Sequence, residues 1–231
     1  MWWAHPRDTA AWHRTLFTDA ERDRAAAYRH KVDADRFMVG CALTRLALGQ
    51  WLGTAPAGVP LRRDCPDCGR PHGKTRVDGD PAFVSVSHSG DWVVVAVTDA
   101  GPIGVDVEAH RGIGDDLART VLDDTEFREV KQAPPGRKEA AFFTYWVRKE
   151  AAVKATGDGL RTDLKKVRVS GYRQRPLVLE YPASPAMWLA DLEAGADHSA
   201  AVAVIAPRIP AVTHHNGAEL LSTPASPHAL G

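Results

Sequence analysis

The sequence predicts an α+β chain built as two α/β halves that meet near Gly101-Pro102. Three observations predict it. The 231 residues are 44% hydrophobic and 25% charged, enough to bury a core in one large domain or two small ones. Two long segments, 33–51 and 138–155, carry apolar side chains at helical spacing. Short β-branched runs lie after each of them, bounded by Gly and Pro. Each half reads as helices first and strands later. Residues 1–101 form one half and 102–207 the other, while 208–231, rich in Pro, Ser, Ala and His, reads as a mobile tail.

Taken in order, Thr18-Asp19-Ala20-Glu21 is a capping-box pattern in which Thr18 caps and Glu21 reaches back. The helix it opens carries Arg22, Arg24 and Arg29. A second helix covers Asp33 to about Trp51, with Phe37, Cys41, Thr44 and Leu48 on one face. Residues 53–60 are a Gly/Pro loop, and 65–74 a Cys-rich one. Cys65, Cys68 and His72 supply three of the four ligands that structural zinc needs, so a reduced, compact loop is the preferred reading. Phe83 to Ser87 and Trp92 to Val97 form a hairpin across His88-Ser89-Gly90-Asp91. The strand Ile103 to Glu108 comes next, then an acidic helical stretch over 115–130. Lys138 to Ala155 is the strongest helix, stopped at Gly157 and Gly159. Strands at 167–169, 177–179, 187–192 and 199–205 complete the second half.

Lys plus Arg and Asp plus Glu number 29 each, so no global field favours nucleic acid or a membrane. No basic segment followed by an apolar one opens the chain, and no apolar run is long enough to span a bilayer. Three cysteines point to a reducing, cytoplasmic setting rather than a disulfide framework.

The chemistry-bearing residues lie on one strand and one helix. Alternation puts Asp106 and Glu108 on one strand face, with Ile103, Val105 and Val107 on the other. The bland reading is a solvated polar face. Yet Asp and Glu are poor strand formers, and here they interrupt a run that otherwise looks buried. Glu150 and Lys154 stand one helical turn apart and project together. As a surface pair they would contribute under ~0.5 kcal/mol. Phe142, Trp146 and Val153 make the core stripe of that helix, however, and Glu150 borders it, facing a neighbour such as the 103–108 strand. Three carboxylates and an ammonium suit a hard divalent cation with a second cation beside it, which is equipment for moving a phosphoryl-type group. Ser85 to Asp91 can cradle phosphate oxygens, although a plain polar turn explains the segment as well. The basic clusters, one from Arg22 to Arg36 and one from Arg161 to Arg175, read as solvated faces; the later one could dock an acidic partner.

Val84-Ser85-Val86-Ser87-His88-Ser89, Ile103-Gly104-Val105-Asp106-Val107-Glu108 and Trp146-x-x-Lys149-Glu150-x-x-x-Lys154 resemble, in order and spacing, the three signature motifs of the Sfp-type 4′-phosphopantetheinyl transferases. Gly157-Asp158-Gly159-Leu160 continues the third, and Tyr28 to Ala34 resembles the family's N-terminal segment. The resemblance extends over about residues 15 to 206. It implies two similar subdomains related by a pseudo-two-fold axis, each a small, mostly antiparallel sheet packed with helices, with the active site at their interface. It implies coenzyme A as donor, Mg²⁺ as cofactor and release of 3′,5′-ADP. The implied acceptor is a serine on the acidic helix surface of an apo acyl or peptidyl carrier protein of fatty-acid, polyketide or nonribosomal-peptide synthesis. The implied enzyme is a monomer.

By the same resemblance Asp106, Glu108 and Glu150 hold the metal, and Glu150, Lys154 and His88 are catalytic. Coenzyme A falls to Arg24, Arg29, Arg36, Lys74, Ser87, His88, Lys149 and Lys154. Glu21 stands where the family has a lysine near the 3′-phosphate, which leaves that group to Arg24, with Arg29 and Arg36. Thr75 replaces the proline that follows the family's counterpart of Lys74. Two competing functions use the same residues: a metal-dependent hydrolase of nucleotide pyrophosphates, and a non-catalytic binder of coenzyme A or carrier protein.

Overall fold

The computed structural model describes residues 1–65, 67–70, 73–182 and 186–223. His72, invoked above with Cys65 and Cys68, lies outside them. The chain opens with strand β1 (Trp2–Ala4) and two 3-10 turns, followed by helices α1 (Asp19–Ala26) and α2 (Lys31–Leu52). A small ribbon, β2 (Leu61–Arg62) with β3 (Arg76–Val77), precedes the hairpin β4 (Phe83–Ser89) and β5 (Trp92–Thr98). The second half runs β6 (Ile103–Ala109), α3 (Asp115–Val121), α4 (Asp124–Lys131) and α5 (Lys138–Thr156). It continues through the ribbon β7 (Arg168–Val169) and β8 (Val178–Glu180) to β9 (Trp188–Leu192) and β10 (His198–Val204), and β11 (His215–Asn216) and α6 (Gly217–Ser222) close the described chain.

Local signals set the helix ends. Thr18 and Glu21 form the expected capping box at α1. The acidic 115–130 stretch splits in two because the Asp123 carboxylate accepts from Thr125 N and Glu126 N, capping α4 afresh. Gly157 ends α5 at φ +82°, a left-handed position that glycine takes without steric cost.

The strands form two antiparallel sheets of like order, β1-β5-β4 and β6-β10-β9. Each half therefore contains a strand, a long helix and two further strands, and the last of these pairs with the first. The two halves are similar in topology. The expected order of helices first is corrected, since each half begins with a strand. In the first half that strand, β1, is three residues long and escapes sequence patterning. Helix α2 covers one side of the first sheet and α5 one side of the second. A third core, with Val94, Ala96, Val105, Val107 and Val202, fills the space between the sheets, and β4 lies alongside β6.

The expected mobile tail is also corrected through Thr223; residues 224–231 lie outside the described set. β11 adds to β1 in parallel, and α6 packs Leu221 into the core beneath α2. The ring of His13 is fully buried. Its Nδ1 accepts from Ala10 N, so its Nε2 carries the proton and donates to Leu221 O at 3.1 Å. Burial holds its pKa below the usual histidine value.

Candidate active site

One missing side chain brings the site together. A Cβ on Gly104 would lie 2.0 Å from Ala151 O and 2.4 Å from Ala155 N. Only glycine lets α5 lie this closely on β6. The contact sets Glu150 and Lys154 of α5 over the face of β6 that carries Asp106 and Glu108. Val105 and Val107 point to the opposite side, into the inter-sheet core, as the alternation predicts.

Lys154 is the hub. Its ammonium donates to Asp106 Oδ1 at 2.7 Å, Ser87 Oγ at 3.0 Å and Val105 O at 3.2 Å, which occupies all three of its protons. Asp106 is buried, and Ser87 Oγ donates to its Oδ1 at 2.8 Å. Asp106 Oδ2 is buried without a partner among the described residues. Burial raises the Asp106 pKa, and Lys154 works in the opposite direction. Glu108 Oε2 accepts from Ser89 Oγ at 2.8 Å and from Arg111 at 3.1 Å. The Glu150 pKa is raised by burial and then by Asp106, with Glu108 adding and Lys154 opposing. Its carboxylate makes no hydrogen bond or ion pair among the described residues.

Two adjoining cavities flank this group, of about 850 and 400 Å³, and Thr75, Val86, Glu150 and Lys154 wall both. Asp106, Glu108, Ser87, His88 and Arg24 border the smaller one. His88 stands exposed at the end of β4, yet surrounding protein and Lys154 lower its pKa. Arg24 has its guanidinium over the Phe37 ring, 5.1 Å from the centroid. Lys74 borders the larger cavity, where burial lowers its pKa to about 8 and its ammonium donates to Ala155 O at 2.7 Å.

Of the expected coenzyme A contacts, Lys149, Arg36 and Arg29 border neither cavity, and Ser87 borders the smaller one with its hydroxyl already engaged. Lys149 is fully buried; its ammonium meets Glu126 at 2.5 Å and the carbonyls of Val121 and Leu164 at 3.0 Å. It is a core lysine whose ammonium is occupied by protein groups. Its spacing carried the signal, because Lys149 lies seven residues after Phe142 and four before Val153, on the core stripe itself. Ser87 has its donor directed to Asp106 while it accepts from Lys154 and Val107 N, so its hydroxyl is saturated. Arg36 clamps the hairpin turn through Gly90 O and pairs with Asp33. Arg29 is exposed and borders neither cavity. Sequence reading missed Arg63, which lines the smaller cavity with Arg24. Its ionic contact is a loose one to Glu21, at 3.7 Å. Nothing in its spacing connects it with the later motifs.

The donor set fits a hard divalent cation. The three carboxylates share one cavity, an oxygen of Asp106 is buried without a partner, and Glu150 carries mutual repulsion that a cation would relieve. They are not drawn around a single point: among the described residues no three His, Cys, Asp or Glu side chains form a ready metal cluster. Lys154 holds Asp106 Oδ1 there.

The sequence profile of the 4′-phosphopantetheinyl transferase superfamily matches residues 102–204. The chain is 31% identical over 149 residues to a 4′-phosphopantetheinyl transferase of Bacillus subtilis, covering 64% of each protein. It is 33% identical over 141 residues to 4′-phosphopantetheinyl transferase psf-1 of Bacillus pumilus, covering 61% of this chain and 58% of that one. It is 32% identical over 192 residues to 4′-phosphopantetheinyl transferase HetI of a Nostoc species, covering 82% of this chain and 78% of that one. The matches to the two Bacillus proteins thus span less than two thirds of their lengths.

Proposed function

The chain belongs to the 4′-phosphopantetheinyl transferase superfamily, and from that premise we propose that it is a holo-[carrier protein] synthase. It moves the 4′-phosphopantetheine of coenzyme A to a serine hydroxyl of an apo acyl or peptidyl carrier protein and releases 3′,5′-ADP. The observation that carries this reading is the placement of Glu150 and Lys154 on the wall common to two cavities, over Asp106 and Glu108 of β6, where β4 of the first half meets that strand. The cavities have the size of small-molecule sites.

Asp106, Glu108 and Glu150 would hold Mg²⁺, which supplies positive charge to the pyrophosphate oxygens. Glu150, whose carboxylate no protein group engages among the described residues, takes the proton of the carrier serine with the oxygen that does not face the metal. The serine oxygen bonds to the phosphorus that bears the pantetheine, and the bond from that phosphorus to the nucleotide phosphate breaks. Lys154 leaves Asp106 to donate to the departing phosphate. His88, which borders the smaller cavity, offers an N–H to a phosphate oxygen. Arg24 and Arg63 give the smaller cavity two further cations. The same reading takes the enzyme as a cytoplasmic monomer. Among the described residues no helix is long and apolar enough to cross a membrane.

Intact-mass measurement on a panel of apo carriers, with coenzyme A and with or without Mg²⁺, tests the reading. A gain of one phosphopantetheine, with equimolar 3′,5′-ADP, is expected when carrier and metal are both present. Nucleotide release without a carrier would make the chain a hydrolase. Retention of coenzyme A with no product would make it a binder.

A further inference from the structure

We propose that Ser87 and Ser89 are positioning residues whose hydroxyls aim the Asp106 and Glu108 carboxylates while joining the two halves. The inference rests on the reading of those carboxylates as metal ligands.

Strand β4 presents Ser85, Ser87 and Ser89 at every second position, hence on one face. Strand β6 pairs with β10 on one side. In an antiparallel ladder alternate residues direct their N–H groups to the other side. Those of Val105, Val107 and Ala109 would be left unpaired at a buried edge, which is costly. Each meets a serine instead: Val105 N donates to Ser85 Oγ at 3.0 Å, Val107 N to Ser87 Oγ at 3.3 Å and Ala109 N to Ser89 Oγ at 3.1 Å. Three side-chain oxygens stand where a neighbouring strand's carbonyls would.

A hydroxyl that accepts these N–H groups still has one proton to direct. Ser87 directs it to Asp106 Oδ1 and Ser89 to Glu108 Oε2, both at 2.8 Å. Each bond fixes one oxygen of a carboxylate. Asp106 Oδ2 is left without a partner, and Glu108 Oε1 makes no hydrogen bond among the described residues. A carboxylate held through one oxygen with the other unengaged is what an outer hydroxyl provides for a metal ligand. Ser85 has no carboxylate to aim, because the corresponding position of β6 is Gly104. Ser85 also borders the larger cavity, but its hydroxyl meets no carboxylate, so it serves as an internal control for metal affinity measured without coenzyme A.

The test measures Mn²⁺ affinity without coenzyme A by electron paramagnetic resonance, together with thermal melting, on the full chain and three variants. Ser89→Ala is expected to bind Mn²⁺ about tenfold more weakly, the effect typical of losing an outer hydrogen bond to a metal ligand. Ser85→Ala should lose similar thermal stability with Mn²⁺ affinity unchanged. Ser89→Thr, which keeps the hydroxyl, should restore affinity, and it gives a readout if Ser89→Ala does not fold. Equal loss of affinity in Ser85→Ala and Ser89→Ala, or no loss in either, would overturn the positioning role while leaving the metal reading intact. Absence of Mn²⁺ binding by the unsubstituted protein would remove the metal reading and this inference with it.

Discussion

Lys154 and Asp106 form an ion pair of unequal burial: side-chain exposure is 31% for the lysine and 4% for the aspartate. Removing either partner should therefore have different consequences. In Asp106→Asn, Lys154 keeps Ser87 and Val105 O and can take up water, so melting should change little while turnover falls by orders of magnitude. Lys154→Met instead leaves a buried carboxylate uncompensated, which costs on the order of 3 kcal/mol. Its melting temperature should drop well below that of Asp106→Asn and recover on addition of Mg²⁺. Equal melting of the two variants would mean that the pair is solvated. Lys74 gives the pH dependence. Its pKa is about 8 in the fold, against a reference of 10.5, so from pH 8 to 10.5 the unfolded chain holds a proton that the folded chain has released. Stability from this group rises with pH through that window, and its burial penalty is fully present below pH 8. Urea denaturation between pH 7.5 and 10 should show that rise in the difference between the unsubstituted chain and Lys74→Met, which cancels the other titrating groups. At this scale the sequence displayed the acidic trio and Lys154, because strand alternation and one helical turn are local geometry. The hydrogen bonds of Ser87 to Asp106 and Val107 N were hidden, since these partners come from a strand about twenty residues on. Arg63 reaches the smaller cavity only through the tertiary path of the 53–77 segment.

Among the elements, α5 was legible almost to the residue, because its apolar period and its Gly157 stop are both local. Its packing was not. Gly104 has the look of an ordinary strand glycine, yet it sets the distance between α5 and β6 and hence the separation of Glu150 and Lys154 from Asp106. Gly104→Ala would press a methyl against Ala151 O and Ala155 N. These are helix backbone atoms that no rotamer change can move aside. Overpacking of this kind costs about 3 kcal/mol. Calorimetry should show a large fall in melting temperature, and whatever folds should have lost divalent-cation affinity along with stability. A well-folded Gly104→Ala protein with normal metal affinity would show that α5 can slide without disturbing the site. Strand β1 illustrates the opposite limit. Three residues carry too little pattern to be read as a strand, and its partner β5 lies some ninety residues away.

At the scale of the whole molecule, α+β character and a division into halves could be read from the order of helical and strand patterns. The topological repeat could not, because it depends on which strands pair, and the last described segment of the chain proved to belong with its first. Residues 208–223 complete the first half's sheet and core, and cutting the chain after Pro207 tests what they contribute. The cut removes β11 from the edge of β1, including the bond from His215 N to Met1 O at 2.8 Å. It uncovers the core where Leu221 was buried, a contribution of about 2 kcal/mol. It also leaves the buried Nε2–H of His13 without an acceptor, at a further cost of about 1–3 kcal/mol. Apart from Val212, which packs on the core between the sheets, these losses fall on the far side of the first sheet: β11 is three strands from β4, roughly 14 Å at ordinary strand spacing. The truncated chain should therefore unfold at clearly lower urea concentration yet bind Mn²⁺ as tightly as the full chain below its melting temperature. If metal affinity were lost from truncated protein that is still folded, the position of β4 against β6 would have to depend on the opposite edge of its sheet, and the segment would count as part of the site's support.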